Sequence, residues 1–241
     1  PTKAACPASG SCALVCLNTA GNPAYLKGKL ACRARRDKAF RTSPNLFLRL
    51  LTIEVLRFYS KNSTNELLGL RLNGTSDYHW ENIAVNITET DSRYILKTFN
   101  INLNCGRYDS ILLAILNAYD YNKESRVGDT LHAYDYTKRT DRDFLKCLNM
   151  GYHLTLSHGS KFNTLQAALE NKLNYAAAFD IGRNKPLPKT ITINGITFPV
   201  LDGDKTDWRI GDKNGKTYIV GLRFKRVPNM TEELKKSFCI A

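Results

Sequence analysis

The sequence has no long apolar run and no signal-peptide pattern. None of its segments approaches the roughly eighteen consecutive apolar residues that a membrane-spanning helix needs. The opening stretch PTKAACPASG lacks a charged region leading into an apolar one, which a secretory signal would have. These two absences favour a protein that works in the cytoplasm and does not contact membranes.

Three common catalytic motifs and a disulfide framework are also missing. No glycine-rich phosphate loop follows a predicted strand, and neither HExxH nor GxSxG occurs. Seven cysteines in 241 residues are too few for a disulfide-stapled scaffold, and their number is odd. The sequence therefore argues against a P-loop hydrolase, a zincin protease, an α/β-hydrolase and a small secreted domain.

Acidic residues are scarce relative to basic ones. The 35 Lys and Arg residues, set against 22 Asp and Glu, give a formal net charge of +13, which favours binding to a polyanion such as nucleic acid. The basic segment, residues 27–41 (KGKLACRARRDKAFR), concentrates this charge. As a helix it can meet several phosphates at once, with little sequence preference. The alternative is a basic surface that only keeps the protein in solution. The predicted nucleic-acid-binding residues are Lys27, Lys29, Arg33, Arg36, Lys38 and Arg41.

The pattern of apolar residues predicts an α/β fold. A helix is predicted over residues 43–59, with Ser43 as its cap and Leu50 and Phe58 on its apolar stripe. From residue 67 onward, strand patterns alternate with helix patterns, which is typical of parallel strands joined by crossover helices. The strand patterns are LLGLRLNG, TLHAYDY, YHLTLS and NYAAAFDI, and the helix patterns are SILLAILNAY, TDRDFLKCLN (capped by Thr140) and NTLQAALENKL.

The last part of the chain has hairpin patterns. Asn194–Gly195 lies within TITINGITFPV and Asn214–Gly215 precedes KTYIVGLRF, and Asn-Gly tolerates positive φ at both central positions of a hairpin turn. We expect one domain over residues 1–241. It has a cysteine-rich and basic N-terminal segment over residues 1–45 and a βα core over residues 67–225 that is finished by hairpins.

Polar side chains follow the predicted strands. Because the carboxyl ends of parallel strands meet at one edge of the sheet, where ligands bind in βα folds, we expect these side chains to line one pocket. Asp202 and Asp204, with Asp207, are also suited to hold a divalent cation through carboxylate oxygens; the alternative is a plain acidic loop. No single acid–base pair stands out. The candidate catalytic residues are Asn73, Asp77, Asp135, Lys138, Ser157, Asp202 and Asp204.

Four cysteines lie close together near the start of the chain. Cys6, Cys12 and Cys16 are separated by five and then three residues, and Cys32 follows on the basic segment. Clustered thiols in a reducing compartment commonly bind metal. The spacing is not the Cys-x2-Cys of zinc ribbons, whereas an iron–sulfur cluster accepts irregular spacing. We expect these four cysteines to bind a metal, with an iron–sulfur cluster favoured over zinc; free or structural thiols are the remaining alternative.

Five blocks of the sequence carry a resemblance to a known family. In chain order they are CPASGSCALVCLNTAG, LRLNGTSDYHWENI, YDYTKR, YHLTLS and LDGDKTDWR. Together they resemble the phage gene-product-88-like family of uncharacterised phage and plasmid proteins, and they cover most of the chain. By this resemblance, residues 83–129 form an insertion that is longer than is usual in the family. The resemblance implies a phage or mobile-element protein in the cytoplasm of an infected or host cell.

The same family is distantly similar to radical-SAM-like barrels. That similarity implies a partial TIM barrel, a βα-repeat partial barrel of about six mainly parallel strands with an N-terminal cluster loop. Two features of this chain depart from that pattern. The Cys-x3-Cys-x2-Cys spacing is absent, and the cysteines precede every predicted strand.

Two functions from different classes follow from these features. The first is a phage or mobile-element metalloprotein that acts on nucleic acid or nucleotides, as a radical-SAM-like or other metal-dependent enzyme. The second is a non-catalytic nucleic-acid-binding or host-interaction protein whose cysteine-bound metal centre is structural. The polar strand ends favour the enzyme, and the unmatched cysteine spacing and the basic segment favour the binding protein.

Overall fold

A computed structural model describes residues 5–16, 23–64, 67–212, 215–225 and 231–240. Two long helices, α1 (Pro23–Thr42) and α2 (Pro44–Asn62), precede the short first strand β1 (Leu68–Leu70). No helix among these residues has the length and apolar character to cross a membrane.

The predicted helix over residues 43–59 is confirmed as α2, but its buried side differs from the predicted stripe. Leu50 and Phe58 are exposed. The buried residues of α2 lie on a neighbouring side, because that side packs against three later elements of the chain. They are Leu48, Thr52, Val55, Leu56 and Tyr59.

The segment between the first and second strands of the main sheet is a compact insertion. It packs on α2 through α3, α4 and β2 and buries a cluster of isoleucines and leucines between these elements. Its elements are β2 (Val85–Ile87), α3 (Glu89–Phe99), β3 (Ile101–Asn102), β4 (Gly106–Tyr108), α4 (Ile111–Leu116), β5 (Tyr119–Asp120) and β6 (Ser125–Arg126).

The rest of the chain supplies the core strands. They follow one another with short helices between the first three, as the alternating pattern predicts. These elements are β7 (Leu131–Thr137), α5 (Phe144–Asn149), β8 (Tyr152–Ser157), α6 (Thr164–Glu170), β9 (Tyr175–Phe179), β10 (Thr190–Ile193), β11 (Ile196–Asp202), β12 (Ile219–Arg223) and α7 (Glu232–Phe238).

Helix α5 begins later than predicted. Thr140 is not its cap, because the side chain of Asp143 accepts a hydrogen bond from the amide of Lys146 at 2.8 Å and stands in that position.

Seven strands form one mainly parallel sheet in the order β1-β7-β8-β9-β12-β11-β10. Every neighbouring pair is parallel except β10–β11, which turns at Asn194 and Gly195 with φ of 49° and 79°. The α/β class, the six parallel strands and the first hairpin are thus confirmed. The second predicted turn includes Asn214, which lies outside the described residues, and β12 has parallel strands on both sides.

Helices α5 and α6 cover one face of this sheet. Their residues Phe144, Cys147 and Ala168 share one core cluster with Tyr152 and Leu156 of β8. Side chains alternate between faces along a strand, so the opposite face, which we call the second face, has its own residues. It carries Gly69 and Arg71 beside β7, His132, Tyr134 and Tyr136 on β7, and Thr155 and Ser157 on β8.

Candidate functional site at the carboxyl ends of the parallel strands

Asp135 lies at the centre of a buried polar network. Its carboxylate is 0% exposed and accepts hydrogen bonds from the amides of Leu72 (3.2 Å) and Asn73 (3.0 Å) and from the hydroxyl of Tyr152 (2.8 Å). Burial raises the pKa of Asp135 to about 6, although these hydrogen bonds act in the opposite direction. The loop after β1 is therefore tied to β7 and β8 through one carboxylate.

Asn73 holds the following loop together through its side-chain amide. Its Oδ1 accepts from the amide of Tyr78 and from the indole Nε1 of Trp80, both at 2.9 Å. Its Nδ2 donates to the carbonyl of Tyr78 at 3.0 Å. These hydrogen bonds satisfy the group within the protein, so its observed role is to shape the loop.

Asp77 joins the same loop to the end of β7. Its carboxylate accepts from the hydroxyl of Thr137 and the amide of Lys138, both at 2.8 Å, and from Nη2 of Arg142 at 3.0 Å. Arg142 also donates to Glu81 at 2.9 Å, and the side chains of this ion pair are fully buried. The structure thus brings Asn73, Asp77, Asp135 and the Lys138 backbone together, as the strand ends predict.

Three other candidate residues lie farther along the same edge of the sheet. Ser157 ends β8, and its carbonyl accepts from the hydroxyl of Thr164 at 3.0 Å. Asp202 ends β11 and forms a two-point ion pair with Arg223 at 2.8 and 3.0 Å; Asp204 contacts the same guanidinium at 3.2 Å. One guanidinium therefore contacts both carboxylates and leaves a net negative charge, and a divalent cation at Asp202 and Asp204 stays a prediction.

Asp207, the third acidic residue of this stretch, does not join Asp202 and Asp204. It pairs with Arg71 beside β1. The acidic residues of the loop after β11 thus form ion pairs with two different arginines.

The N-terminal cysteine-bearing segment, residues 5–16, lies over the ends of β7 and β8. The amide of Asp77 donates to the carbonyl of Ala5 at 2.7 Å. The amides of Gly10 and Cys12 both donate to the carbonyl of Gly159, at 3.0 and 3.2 Å. A Cβ at Gly10 would lie 2.8 Å from that carbonyl oxygen, so the backbone approach requires glycine. The segment that precedes every strand in sequence thus lies at the carboxyl ends of the strands in space.

Three of the four predicted metal-binding cysteines share this neighbourhood. Burial is the main cause that raises the pKa of the Cys6 thiol to about 11, and the carboxylate of Asp77 adds to it. Cys12 and Cys16 raise the same pKa, whereas the side chain of Lys138 lowers it. These effects indicate that Cys12 and Cys16 lie in the same part of the molecule as Cys6.

Cys32 lies on α1, half-buried, and is not among the groups that chiefly shift the pKa of Cys6. Among the described residues, no group of three or more His, Cys, Asp or Glu side chains is arranged to hold a metal ion. The shared neighbourhood of Cys6, Cys12 and Cys16 is therefore an observation, and metal binding stays a prediction.

The basic segment is helical, as predicted, and is attached beside the network. On α1, the ring of Phe40 contacts the rings of Tyr78 and Trp80 at centroid distances of 5.3 and 5.9 Å. The hydroxyl of Tyr78 donates to Asp37 at 3.2 Å. Because Tyr78 and Trp80 belong to the loop after β1, α1 lies on the same side as the cysteine-bearing segment.

The predicted nucleic-acid-binding residues differ in exposure. Lys27, Arg36 and Lys38 are exposed, whereas Lys29 and Arg33 are half-buried. Arg41 is exposed but forms a two-point ion pair with Asp37 at 3.0 and 3.2 Å.

Sequence reasoning missed the buried arginine that completes the network. Arg142 lies in TDRDFLKCLN, where a charged residue near a helix start predicts an exposed position. The structure buries Arg142 between Asp77 and Glu81. These two acidic residues are close to each other in the sequence but far from Arg142 along the chain.

Comparison of the chain with protein-family models, with curated proteins and with solved structures gives no match in any of the three. The resemblance to the phage family and its implied function thus stay predictions.

Proposed function

We propose that the protein is a cysteine-ligated metalloprotein of the phage or mobile-element class that acts on nucleic acid or nucleotides. The observation that carries the proposal is the shared neighbourhood of Cys6, Cys12 and Cys16. Their segment is held by backbone hydrogen bonds over the carboxyl ends of β7 and β8, where βα folds bind their ligands. A set of thiols at this position is suited to a metal that takes part in ligand binding.

The chemical type of these donors suits a thiolate-bound metal, and binding one would require the three side chains to move together, since the described residues are not arranged as ligands. Three soft sulfur ligands suit iron–sulfur clusters and zinc, and a bound cation would favour the thiolate form that burial alone opposes. Lys138 supplies a positive charge beside Cys6 that offsets part of the thiolate charge. With Cys6, Cys12 and Cys16 as ligands, a four-iron cluster would keep one iron free of a protein thiolate; with Cys32 as a fourth ligand it would not.

Two observations support curvature of the sheet into a partial barrel. The register is staggered, because the last residues of β8 pair with the first residues of β9. In addition, the ring of Trp208 contacts Gly69 of β1, five strand positions away from β11. A flat sheet would separate these strands by about 24 Å, and curvature would shorten this distance.

The placement of α1 supports nucleic-acid binding near the metal centre. The exposed Lys and Arg residues of α1 lie on a helix that is anchored to the loop after β1 through Phe40. A polyanion bound there would pass close to the strand ends. This arrangement links the net charge of +13 to the position of the cysteines.

Metal analysis of anaerobically purified protein tests the proposal. We expect iron and acid-labile sulfide, with the visible absorption of an iron–sulfur cluster, in the natural protein and in Cys105→Ser. Cys105 is exposed in the insertion and serves as the matched control. We expect loss of both in Cys12→Ser and Cys16→Ser. Metal-free natural protein, or unchanged metal content in Cys12→Ser, would contradict the proposal; zinc in place of iron would contradict the iron–sulfur assignment alone.

A specific observation favours the second candidate function, a non-catalytic binding protein with a structural metal. The carboxylates of Asp77, Asp135 and Asp202 are all engaged in hydrogen bonds or ion pairs within the protein. Incubating reduced, metal-loaded protein with DNA, RNA and nucleotides, followed by mass spectrometry, separates the two functions. A covalently changed product identifies an enzyme, and binding without change identifies the binding protein.

A further inference from the structure

Two arginines on the second face have guanidinium groups with unused hydrogen-bond donors. Arg71 follows β1, and its Nη1 pairs with Asp207. Arg209 has a side chain that is 3% exposed; its Nη1 donates to Asp212 at 3.0 Å and its Nη2 donates to the carbonyl of Thr206. The Nε atoms of both arginines are buried without a hydrogen-bond partner among the described residues. Arg71 Nε is 3.9 Å from Asp135 Oδ1, which is too far for a hydrogen bond.

Both guanidinium groups act on the same tyrosine. The central carbon of the Arg71 guanidinium lies 5.0 Å from the centroid of the Tyr136 ring and 5.8 Å from that of Tyr134. Burial raises the pKa of Tyr136 to about 12, while the positive charges of Arg209 and Arg71 oppose this shift. Trp208, which precedes Arg209 in the chain, contacts the ring of Tyr134 on this face, so the two cations and the phenol lie near the carboxyl end of β7.

A buried donor without a partner needs an explanation, because leaving it unsatisfied costs free energy. A ligand that accepts from the Nε atoms of Arg71 and Arg209 would remove this cost. The planar fork of arginine matches the oxygens of phosphate and carboxylate groups. Arg71 also lies over the rings of Tyr134 and Tyr136, and these contacts help to set its orientation before a ligand arrives.

The loop after β11 covers this site and supplies an acidic group to it. Trp208 packs its ring edge against Tyr134 and His132, each at a centroid distance of 5.9 Å. A Cβ at Gly69 would lie 3.1 Å from the same ring, so the ring lies close against the backbone of β1. Next to Trp208, the Asp207 side chain is 63% exposed although it pairs with Arg71. This carboxylate can move into water with little loss of packing.

We propose that Arg71, Arg209 and Tyr136 form a binding site for a terminal phosphate group, and that Asp207 occupies the Arg71 end of this site until the ligand replaces it. A phosphate oxygen pair would take the place of the Asp207 carboxylate and would accept from the unused donors. The site does not involve the cysteines, so it can be tested whether or not the protein binds metal.

Calorimetric titration of the full chain with inorganic phosphate at constant ionic strength tests the site, with a nucleoside monophosphate and the phosphate-free nucleoside as further probes. We expect phosphate to bind and the nucleoside not to bind. Tighter binding of the nucleotide than of phosphate identifies a nucleotide as the source of the group, and equal affinity identifies free phosphate. Absence of phosphate binding, or nucleoside binding as tight as that of the nucleotide, would overturn the proposal.

Variants separate this site from general attraction to a basic protein. Arg71→Gln should weaken phosphate binding about tenfold or more, since it removes a charged two-point contact. Asp207→Asn should tighten binding about two- to fivefold, because it removes a competing, largely exposed ion pair. Asp129→Asn, which removes the same charge from the exposed pair with Arg126, is the control and should bind like the natural protein.

The Asp207→Asn variant gives the clearer result, because Asp207 is exposed and its replacement leaves the core intact. Tightening in Asp207→Asn that is absent from Asp129→Asn supports the proposal. Equal effects of the two variants, or unchanged affinity in a folded Arg71→Gln protein, would overturn it. The fluorescence of Trp208 should change on phosphate binding in the natural protein, since its neighbour is displaced.

Discussion

At the scale of single residues, Asp135 shows how burial and hydrogen bonding compete. The folded protein keeps its carboxyl group protonated up to a pKa of about 6, whereas the ordinary value is 3.8. Between these two values the folded state binds more protons than the unfolded state. The free energy of unfolding therefore decreases as pH rises through this range, and the contribution of the group is fully present only below it.

Replacing Asp135 with Asn should remove this pH dependence. We expect the stability of Asp135→Asn relative to the natural protein to increase by about 2 kcal/mol between pH 4 and pH 7. Urea unfolding of both proteins at several pH values measures the difference. A difference that stays constant over this range would show that the carboxyl group of Asp135 has an ordinary pKa.

Replacing Arg142, the buried arginine of the same network, should cause a large loss of stability. Arg142→Met should lower the free energy of unfolding by about 3–5 kcal/mol, because it leaves Asp77 and Glu81 buried without their cation. Arg139→Met is the matched control, since its pair with Asp141 is more exposed and should contribute less than about 1 kcal/mol. Equal losses in the two variants would contradict the assigned network.

The sequence predicted which polar residues meet at the strand ends but not what they do there. Asn73, Asp77 and Asp135 come together because parallel strands share one edge, which alternation reveals. Their partners could not be predicted in the same way, because Arg142 and Tyr152 belong to a loop and a strand whose patterns carry no signal of a shared network. Whether these side chains find all their hydrogen-bond partners within the protein depends on contacts between distant parts of the chain, which the sequence pattern does not show.

At the scale of elements, the sequence predicted the presence of long periodic helices and strands better than it predicted which side of a helix is buried or where an element ends. The patterns predicted α2, β7, β8 and β9, whereas the buried side of α2 depends on the insertion that packs on it. Strands β3, β5 and β6 have two residues each, which is too short to show a period.

The cysteine-bearing segment depends on a close approach at Gly159. This residue has φ of +79°, and a Cβ there would lie 2.8 Å from Phe238 and 3.0 Å from Cys12. Gly159→Ala should therefore loosen residues 5–16 and leave β8 intact. Hydrogen exchange should become faster at the amides of Gly10 and Cys12, which donate to the Gly159 carbonyl.

Gly28→Ala is the control for this experiment. Gly28 lies on α1, and no described atom lies within 4 Å of the position that a Cβ would take there, so alanine should fit and slightly favour the helix. Unchanged exchange at Gly10 and Cys12 in Gly159→Ala would show that the segment is held by other contacts.

At the scale of the whole molecule, the net charge of +13 and the exposed α1 predict binding to nucleic acid that is sensitive to salt. The affinity should fall with salt at a log–log slope of about −0.9 for each duplex phosphate contacted. The double variant Arg36→Glu/Lys38→Glu should bind more weakly and with a shallower slope.

A second double variant, Arg183→Glu/Lys189→Glu, makes the same charge change at exposed positions outside α1. Fluorescence anisotropy with single- and double-stranded DNA and RNA compares the two. Equal losses in both variants would mean that only the total charge matters and that α1 has no specific role.

The central claim is that Cys6, Cys12 and Cys16 bind one metal centre over the strand ends. An anomalous-scattering map from crystals grown under anaerobic conditions, recorded at the iron and zinc absorption edges, tests it most directly. We expect a metal atom about 2.3 Å from each of the three sulfur atoms, either one shared atom or the atoms of one compact cluster. Three sulfur atoms that point into separate packing sites, with no metal peak between them, would contradict it.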